Sequence, residues 1–202
     1  MVETAEEAQT LLELDVDMIQ GFYFSKPKKP AELDEAGTLG KVRETVQDHK
    51  ARTLEYMGIK RRNMGRFHSI LFEIQVELGP LNSSKFGDKL GEMASRFPQV
   101  ECFYVLDENG FQVTESILNP ARQETRNPRL FHPSPKGTDH TARDYCYYLT
   151  EAGTNKTNFL TEPYLSMTSG NNCMTLSSLF RAQDGTAYIL CLDIDTEDLK
   201  KS

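Results

Sequence analysis

The chain has 202 residues and a formal net charge of -7, with a sequence pI near 5.2. That length suits one core with appendages, and the acidic balance opposes the broad attraction that nucleic acid or an anionic membrane surface requires. No apolar run approaches the roughly 20 residues that span a bilayer, and the acidic start MVETAEEAQ lacks the pattern of a secretory signal. A cytoplasmic location is expected, with no nucleic-acid partner and no membrane insertion.

Residues 4–14, TAEEAQTLLEL, predict a short helix with Ala8, Leu11 and Leu12 on one side, followed by a strand, DMIQGFYF (17–24). Residues 26–37, rich in Lys, Pro, Asp, Glu and Gly, read as a linker. From Thr38 the pattern turns helical. Leu39, Val42 and Val46 recur at three-and-four spacing, and after Gly58 the run Met64, Phe67, Leu71, Ile74, Leu78 repeats it. This is one long helix or two nearly collinear ones. If continuous over 38–78 it is roughly 60 Å long, and a narrow stripe on so long a helix suits pairing with a second copy. The basic cluster IKRRNMGR (59–66) reads as a solvated helix face.

After GPLN, Ser83 or Ser84 caps a helix with Phe86, Leu90, Met93, Ala94 and Phe97 on one face, and Pro98 stops it. VECFYVLD (100–107), the turn DENG and FQVTESI (111–117) predict a hairpin. Residues 119–137, with four prolines and three arginines, form an irregular loop of the kind that serves as a lid or pocket wall. Asp139 or Thr141 starts a helix, TARDYCYYLTEAG, with Gly153 placed to cap its end. Three strands follow: YLSMT (164–168), CMTLSSLF (173–180) and TAYILCLDI (186–194). The sum is five antiparallel strands with helices inserted after the second, an α+β arrangement.

Cys102, Cys146, Cys173 and Cys191 are scattered, with no CxxC and no His at ligand spacing, so they read as buried thiols. His132 and His140 lack a ligand set and read as surface histidines. No metal site is expected.

Two stretches resemble known families. LLELDVDMIQGFYFSKP is similar to the last helix and strand of an EAL domain, the TIM-type barrel of cyclic di-GMP phosphodiesterases, with QG, the aromatics and SKP in the same order and spacing. The resemblance implies that residues 1–27 are the closing edge of such a barrel and that Gln20 holds an active-site position. It also implies that the parent barrel uses Mg or Mn. Two-metal phosphodiester hydrolysis needs carboxylates converging from several strands, and one strand cannot supply them. The chain is therefore expected to be non-catalytic, with no cofactor of its own. The parent is expected to be a cyclic di-GMP phosphodiesterase, with a GGDEF diguanylate cyclase as a candidate further domain beyond DTEDLKKS.

From about 84 to 195 the chain resembles a Cache domain, a PAS-like sensor fold, through FPQVECFYVLDENGFQVTESI, ARDYCYYL, TEPYLSMTSGNNCMTLSSLF and the run from DG to YILCLDID. The resemblance implies a five-stranded antiparallel sheet with flanking helices and a small ligand held between the sheet and the crossing loop and helix. Arg143, Tyr145, Tyr164 and Asp193 match the family's pattern. In members that bind amino acids or carboxylates, the Arg pairs with the carboxylate and the Asp with an amine. The residue types suit that chemistry: Arg presents a planar fork, and Tyr an apolar face with a polar tip. One departure is Asp144, where an aromatic usually follows the Arg; it adds negative charge where an anionic ligand would sit. Thr175 and Ser177 share a strand face that lines the cavity or faces solvent. Tyr145, Tyr147 and Tyr148 cannot all point inward. The candidate ligand-binding set is Arg143, Tyr145, Tyr164, Thr175 and Asp193.

The expected organisation is a truncated EAL tail (1–27), a linker (28–37), a long signalling and dimerisation helix (38–82), a Cache/PAS-like sensor (83–196) and the start of a C-terminal linker (197–202). The expected function is a sensory or regulatory module of a bacterial cyclic di-GMP protein, binding a small molecule and pairing as a homodimer through the helix. The alternatives are a ligand-free dimerisation scaffold, a hydrolase fragment, and a redox switch through the cysteines.

Overall fold

The computed structural model describes residues 1–32, 34–122, 129–150 and 157–200. The chain divides into two compact units, Met1–Ile59 and Lys60–Ser202. The division falls inside one helix, not at either end of the 28–37 segment.

In the first unit α1 (Ala5–Glu13) is capped by the Thr4 hydroxyl, which accepts from Glu7 N–H at 3.2 Å. The predicted strand at 17–24 does not form. A strand exists through its partner, and here Val2 alone pairs with the segment, its N–H donating to Gln20 O and its carbonyl accepting from Tyr23 N–H, both at 3.1 Å. Gly21 permits that approach: a Cβ there would stand 1.8 Å from the Val2 carbonyl oxygen. The predicted linker shortens, because the Asp34 carboxylate accepts from Gly37 N–H at 2.9 Å and α2 starts at Glu35. α2 (Glu35–Leu78) is one continuous helix of 44 residues. Gln9 Nε2 donates to Thr45 O at 2.9 Å, joining α1 to α2. Among the described residues, Val2 and Ala8 are the buried apolar side chains of this unit.

The second unit is built on a six-stranded antiparallel sheet of β1 (Val100–Asp107), β2 (Ile117–Leu118), β3 (Asn158–Leu160), β4 (Tyr164–Leu165), β5 (Asn172–Arg181) and β6 (Ala187–Asp195). Its order is β2-β1-β6-β5-β3, with β4 also on β5. Period-two alternation gives the long strands two buried faces. On one, Phe67, Leu71, Ile74 and Leu78 of α2, with Phe86 and Leu90 of α3 (Phe86–Ala94), cover Phe103, Val105, Leu176, Leu190 and Leu192. The part of the helical stripe from Phe67 to Leu78 is thus spent on the chain's own sheet, while Leu39, Val42 and Val46 of the same stripe are exposed. On the other face Tyr145, Cys146 and Leu149 of α4 (Asp144–Thr150) pack against Cys102, Tyr104, Leu106, Ile189 and Cys191.

Four details depart from expectation. The return strand of the hairpin is reduced to Ile117–Leu118. Thr114 Oγ1, not a backbone carbonyl, accepts from Val105 N–H at 3.1 Å, and the backbone of Gln112 pairs with the 137–138 loop. The helix expected from Asp139 or Thr141 starts at Asp144, because the Asp139 carboxylate holds Thr141 N–H at 2.8 Å in a turn of its own; its expected cap, Gly153, lies outside the described residues. YLSMT yields only the two-residue β4, since Ser166 N–H donates to Asn171 O and Gly170 N–H to Ser166 O, closing a tight turn. The short β3 had no periodic signal and makes the sheet six-stranded rather than five.

Among the described residues no helix is long and apolar enough to cross a membrane. All four cysteines are free and buried; burial pushes the Cys102 and Cys191 thiols up, and Cys146 to about 11. Thiolates are the reactive form, so the redox-switch alternative loses its chemical basis.

Candidate ligand-binding site

The face of the sheet covered by α4 carries a polar row. Register places Thr175 of β5 opposite Asp193 of β6, and Cys102 of β1 on its other side. The β1–β6 register shifts between Val100 and Cys102, so Glu101 is an extra, bulged residue. Its buried carboxylate joins this face, accepting from Ser166 Oγ at 3.3 Å and the Cys173 thiol at 3.3 Å.

Asp193 is almost fully buried and lines a cavity of about 280 Å³. Its Oδ1 accepts from Thr175 Oγ1 at 2.8 Å, Tyr164 OH at 3.2 Å and Tyr104 OH at 3.4 Å. Its Oδ2 has no partner among the described residues. Burial raises Asp193 to about 7; the Thr175 hydrogen bond opposes the rise and nearby Glu101 adds to it.

A second chain of hydrogen bonds meets the first at Tyr104, whose hydroxyl lies 3.4 Å from that of Tyr145. Gln112 Nε2 donates to Thr114 O, Ser116 Oγ and Ser134 O, which turns Oε1 toward His140 Nε2 at 2.9 Å. His140 therefore carries its proton on Nε2, and Nδ1 accepts from Tyr145 OH at 2.7 Å. Burial lowers His140 to about 4, with Arg143 adding to the shift, so the ring is neutral near pH 7. The hydroxyl protons of Tyr104, Tyr145, Tyr164 and Thr175 are thus spent within the network, leaving its base rich in lone pairs.

Of the residues singled out from sequence, Arg143, Tyr145, Tyr164 and Asp193 all line this cavity. Thr175 does not: it is fully buried behind Asp193. Ser177, also buried, accepts from the Cys191 thiol at 3.7 Å. Arg143 is exposed and makes no ion pair among the described residues. Tyr147 and Tyr148 are exposed, and Tyr148 stacks on Phe159 at 4.3 Å. His140 is a correction: expected at the surface, it is buried and stacked on Tyr104 at 5.4 Å. Sequence reasoning also passed over Tyr104, Gln112 and Glu101; the alternation of β1 could have placed Tyr104 on the same face as Cys102, though not beside Asp193. The 119–137 loop contributes Ser134 to the wall, with residues 123–128 outside the described set. No group of three His, Cys, Asp or Glu among the described residues could hold a metal ion.

Gln20 lies in a cleft of the first unit, lined by Leu12, Ile19, Phe24, Val42, Thr45 and Val46 among others, with no carboxylate among the described residues of its walls.

The α+β unit has the fold of Cache/PAS-like sensor domains: a long N-terminal helix and an antiparallel sheet with flanking helices. The chain matches no family model and no curated protein. Among solved structures it is similar to the Bacillus subtilis YkuI protein, a protein with an EAL domain crystallised with substrate c-di-GMP and calcium, at 15% identity and a TM-score of 0.71. That match covers 100% of this chain but 48% of YkuI, so the chain spans about half the length of that relative. The ligand-binding domain of the Pseudomonas aeruginosa PAO1 amino acid chemoreceptor PctC, in complex with GABA, matches at 19% identity and a TM-score of 0.50, over 73% of this chain and 61% of that one. The sensory domain of the Campylobacter jejuni chemoreceptor Tlp3, with isoleucine bound, matches at 16% and 0.50, over 76% and 62%.

Proposed function

We propose that this chain is a non-catalytic sensory module that binds a small molecule with an ammonium group in the Asp193 cavity. The observation that carries the reading is Asp193 itself: a buried carboxylate at the base of a cavity, anchored through Oδ1, with Oδ2 open. Among the described residues the donors to this buried carboxylate are neutral hydroxyls and none is a cation; a buried charge is costly without an opposite one, and a ligand ammonium supplies it. The surrounding lone pairs repel a carboxylate and accept N–H donors. The cavity is near the lower end of the roughly 300–1,000 Å³ that holds small ligands.

The wider setting we propose is cyclic di-GMP signalling. Support comes from the EAL-like LLELDVDMIQGFYFSKP stretch and from the likeness of the whole chain to about half of YkuI. Exposed Leu14, Met18 and Phe22 give the first unit an apolar surface suited to packing against more protein. In this reading ligand binding favours one pose of α2 over another, and the difference in affinity between the poses is the signal. Mg or Mn would belong to the parent's barrel.

The test is thermal melting of the chain against amino acids, small carboxylates, amines and nucleotides. A ligand at a hundredfold excess over Kd adds about 2.7 kcal/mol, an easily read shift, and Asp193→Asn should abolish it. If nothing in the panel moves the melting temperature, a ligand-free scaffold becomes the better reading.

A further inference from the structure

The cavity has a solvent end as well as a base. Exposed Arg143, Asp144 and Glu162 line it there, while Ala142, Pro163 and Met167 give apolar surface on its walls. Among the described residues of the lining, Asp144, Glu162 and Asp193 are carboxyl groups, Arg143 is a cation and His140 is neutral, so three carboxyl groups face one guanidinium. A zwitterionic amino acid needs a net positive outer end to hold its carboxylate. Among the described residues the outer end carries two carboxylates against one cation, and a ligand carboxylate placed on Arg143 would sit among them.

Resting on the reading that an ammonium occupies Asp193, we propose that the cavity selects an organic dication, a short α,ω-diamine. One primary ammonium donates to Asp193 Oδ2 and the neighbouring tyrosine oxygens. The methylenes lie along Ala142, Pro163 and Met167. The second ammonium sits at the solvent end in the field of Asp144 and Glu162. A primary ammonium fits the base better than a quaternary one, because the acceptors there need N–H donors and one face of Tyr104 is already covered by His140.

Three probes that differ only at the far end separate the possibilities: 1,4-diaminobutane, 1-aminobutane and 4-aminobutanoate, each titrated calorimetrically into the full chain. The diamine should bind at least tenfold more tightly than the monoamine, and both more tightly than the zwitterion. Asp144→Asn with Glu162→Gln should erase the preference for the diamine while leaving monoamine affinity within about twofold; both positions are exposed, so the fold should hold, and unchanged melting checks it. Tightest binding by 4-aminobutanoate, lost in Arg143→Gln, overturns the dication and keeps the ammonium at Asp193. Binding by none of the three also overturns it, and a melting shift with another class from the wider panel then shows that the sensor reading survives alone. A diamine preference untouched by the double variant overturns the assignment of the outer site.

Discussion

Thr175 and Asp193 face each other across β5 and β6, and the Thr175 hydroxyl donates to Asp193 Oδ1 at 2.8 Å from a position wholly shut off from solvent. Thr175 acts through Asp193: it holds the carboxylate's orientation and favours its charged form. Thr175→Val should raise the Asp193 pKa further and weaken amine binding about tenfold at pH 7.5, the worth of a hydrogen bond to a charged group. Thr175→Ser should restore most of it. Calorimetry on the three proteins checks this, and equal affinities would remove Thr175 from the site.

Asp193 and His140 shift in opposite senses, Asp193 from 3.8 up to about 7 and His140 from 6.5 down to about 4, both chiefly through burial. The folded state binds the Asp193 proton more tightly than the unfolded chain, so that contribution is full below about pH 4 and lost as pH rises through about 7. For His140 the folded state binds the proton less tightly, so the contribution is full above about 6.5 and lost as pH falls through about 4. Between about pH 4.5 and 6.5 the two slopes oppose each other. Urea unfolding across that window should show Asp193→Asn gaining stability with rising pH relative to the parent, and His140→Gln losing it, each by up to about 1.4 kcal/mol per pH unit. Parallel profiles for all three would contradict the assignment.

The bulge at Glu101 adds to the rise that burial imposes on Asp193. Because Glu101 contributes to the rise of Asp193, Glu101→Gln should lower the Asp193 midpoint below about 7, as followed by carboxyl carbon NMR. An ammonium ligand binds the ionised carboxylate, so its affinity should fall tenfold per pH unit below that midpoint, and the break should move down in the variant. A break that stays in place would mean that another group controls binding.

Adjacent residues on α2 should behave oppositely. Leu71 is 4% exposed against the sheet and Phe72 is 67% exposed. Leu71→Ala should cost about 2–5 kcal/mol in chemical denaturation. Phe72→Glu should stay within about 0.5 kcal/mol of the parent, which makes it the variant for testing a homodimer through the helix. Analytical ultracentrifugation should show weakened self-association for Phe72→Glu; an unchanged mass would move any dimer contact elsewhere.

Much of the frame was readable in advance. Val100–Asp107 was expected as a strand and is one; the last two strands fall within two residues of their expected ends, because alternating apolar residues and the turns at Gly110 and Gly185, with φ of 84° and 81°, are local signals. The helix over 38–78 was legible from its spacing, but the use of its stripe was not. Met64 to Leu78 carries the same pattern whether it covers a sheet of its own chain or a second helix.

The pieces that resisted reading share a physical cause. β2, β3 and β4 have two or three residues each and exist through their partners, as does the Val2–Gln20 contact that replaces the expected strand at 17–24. The site is of the same kind. Tyr104 and Asp193 are 89 positions apart, and their meeting depends on a register and a bulge that no window of sequence encodes. Composition, periodicity and turn signals established the α+β class and the long helix, and the resemblance to a Cache domain pointed to four residues that reach the cavity. The buried network of Gln112, His140 and Tyr145, the withdrawal of Thr175 behind Asp193, and the carboxylate left open at the base arise from long-range strand pairing, which local pattern does not specify.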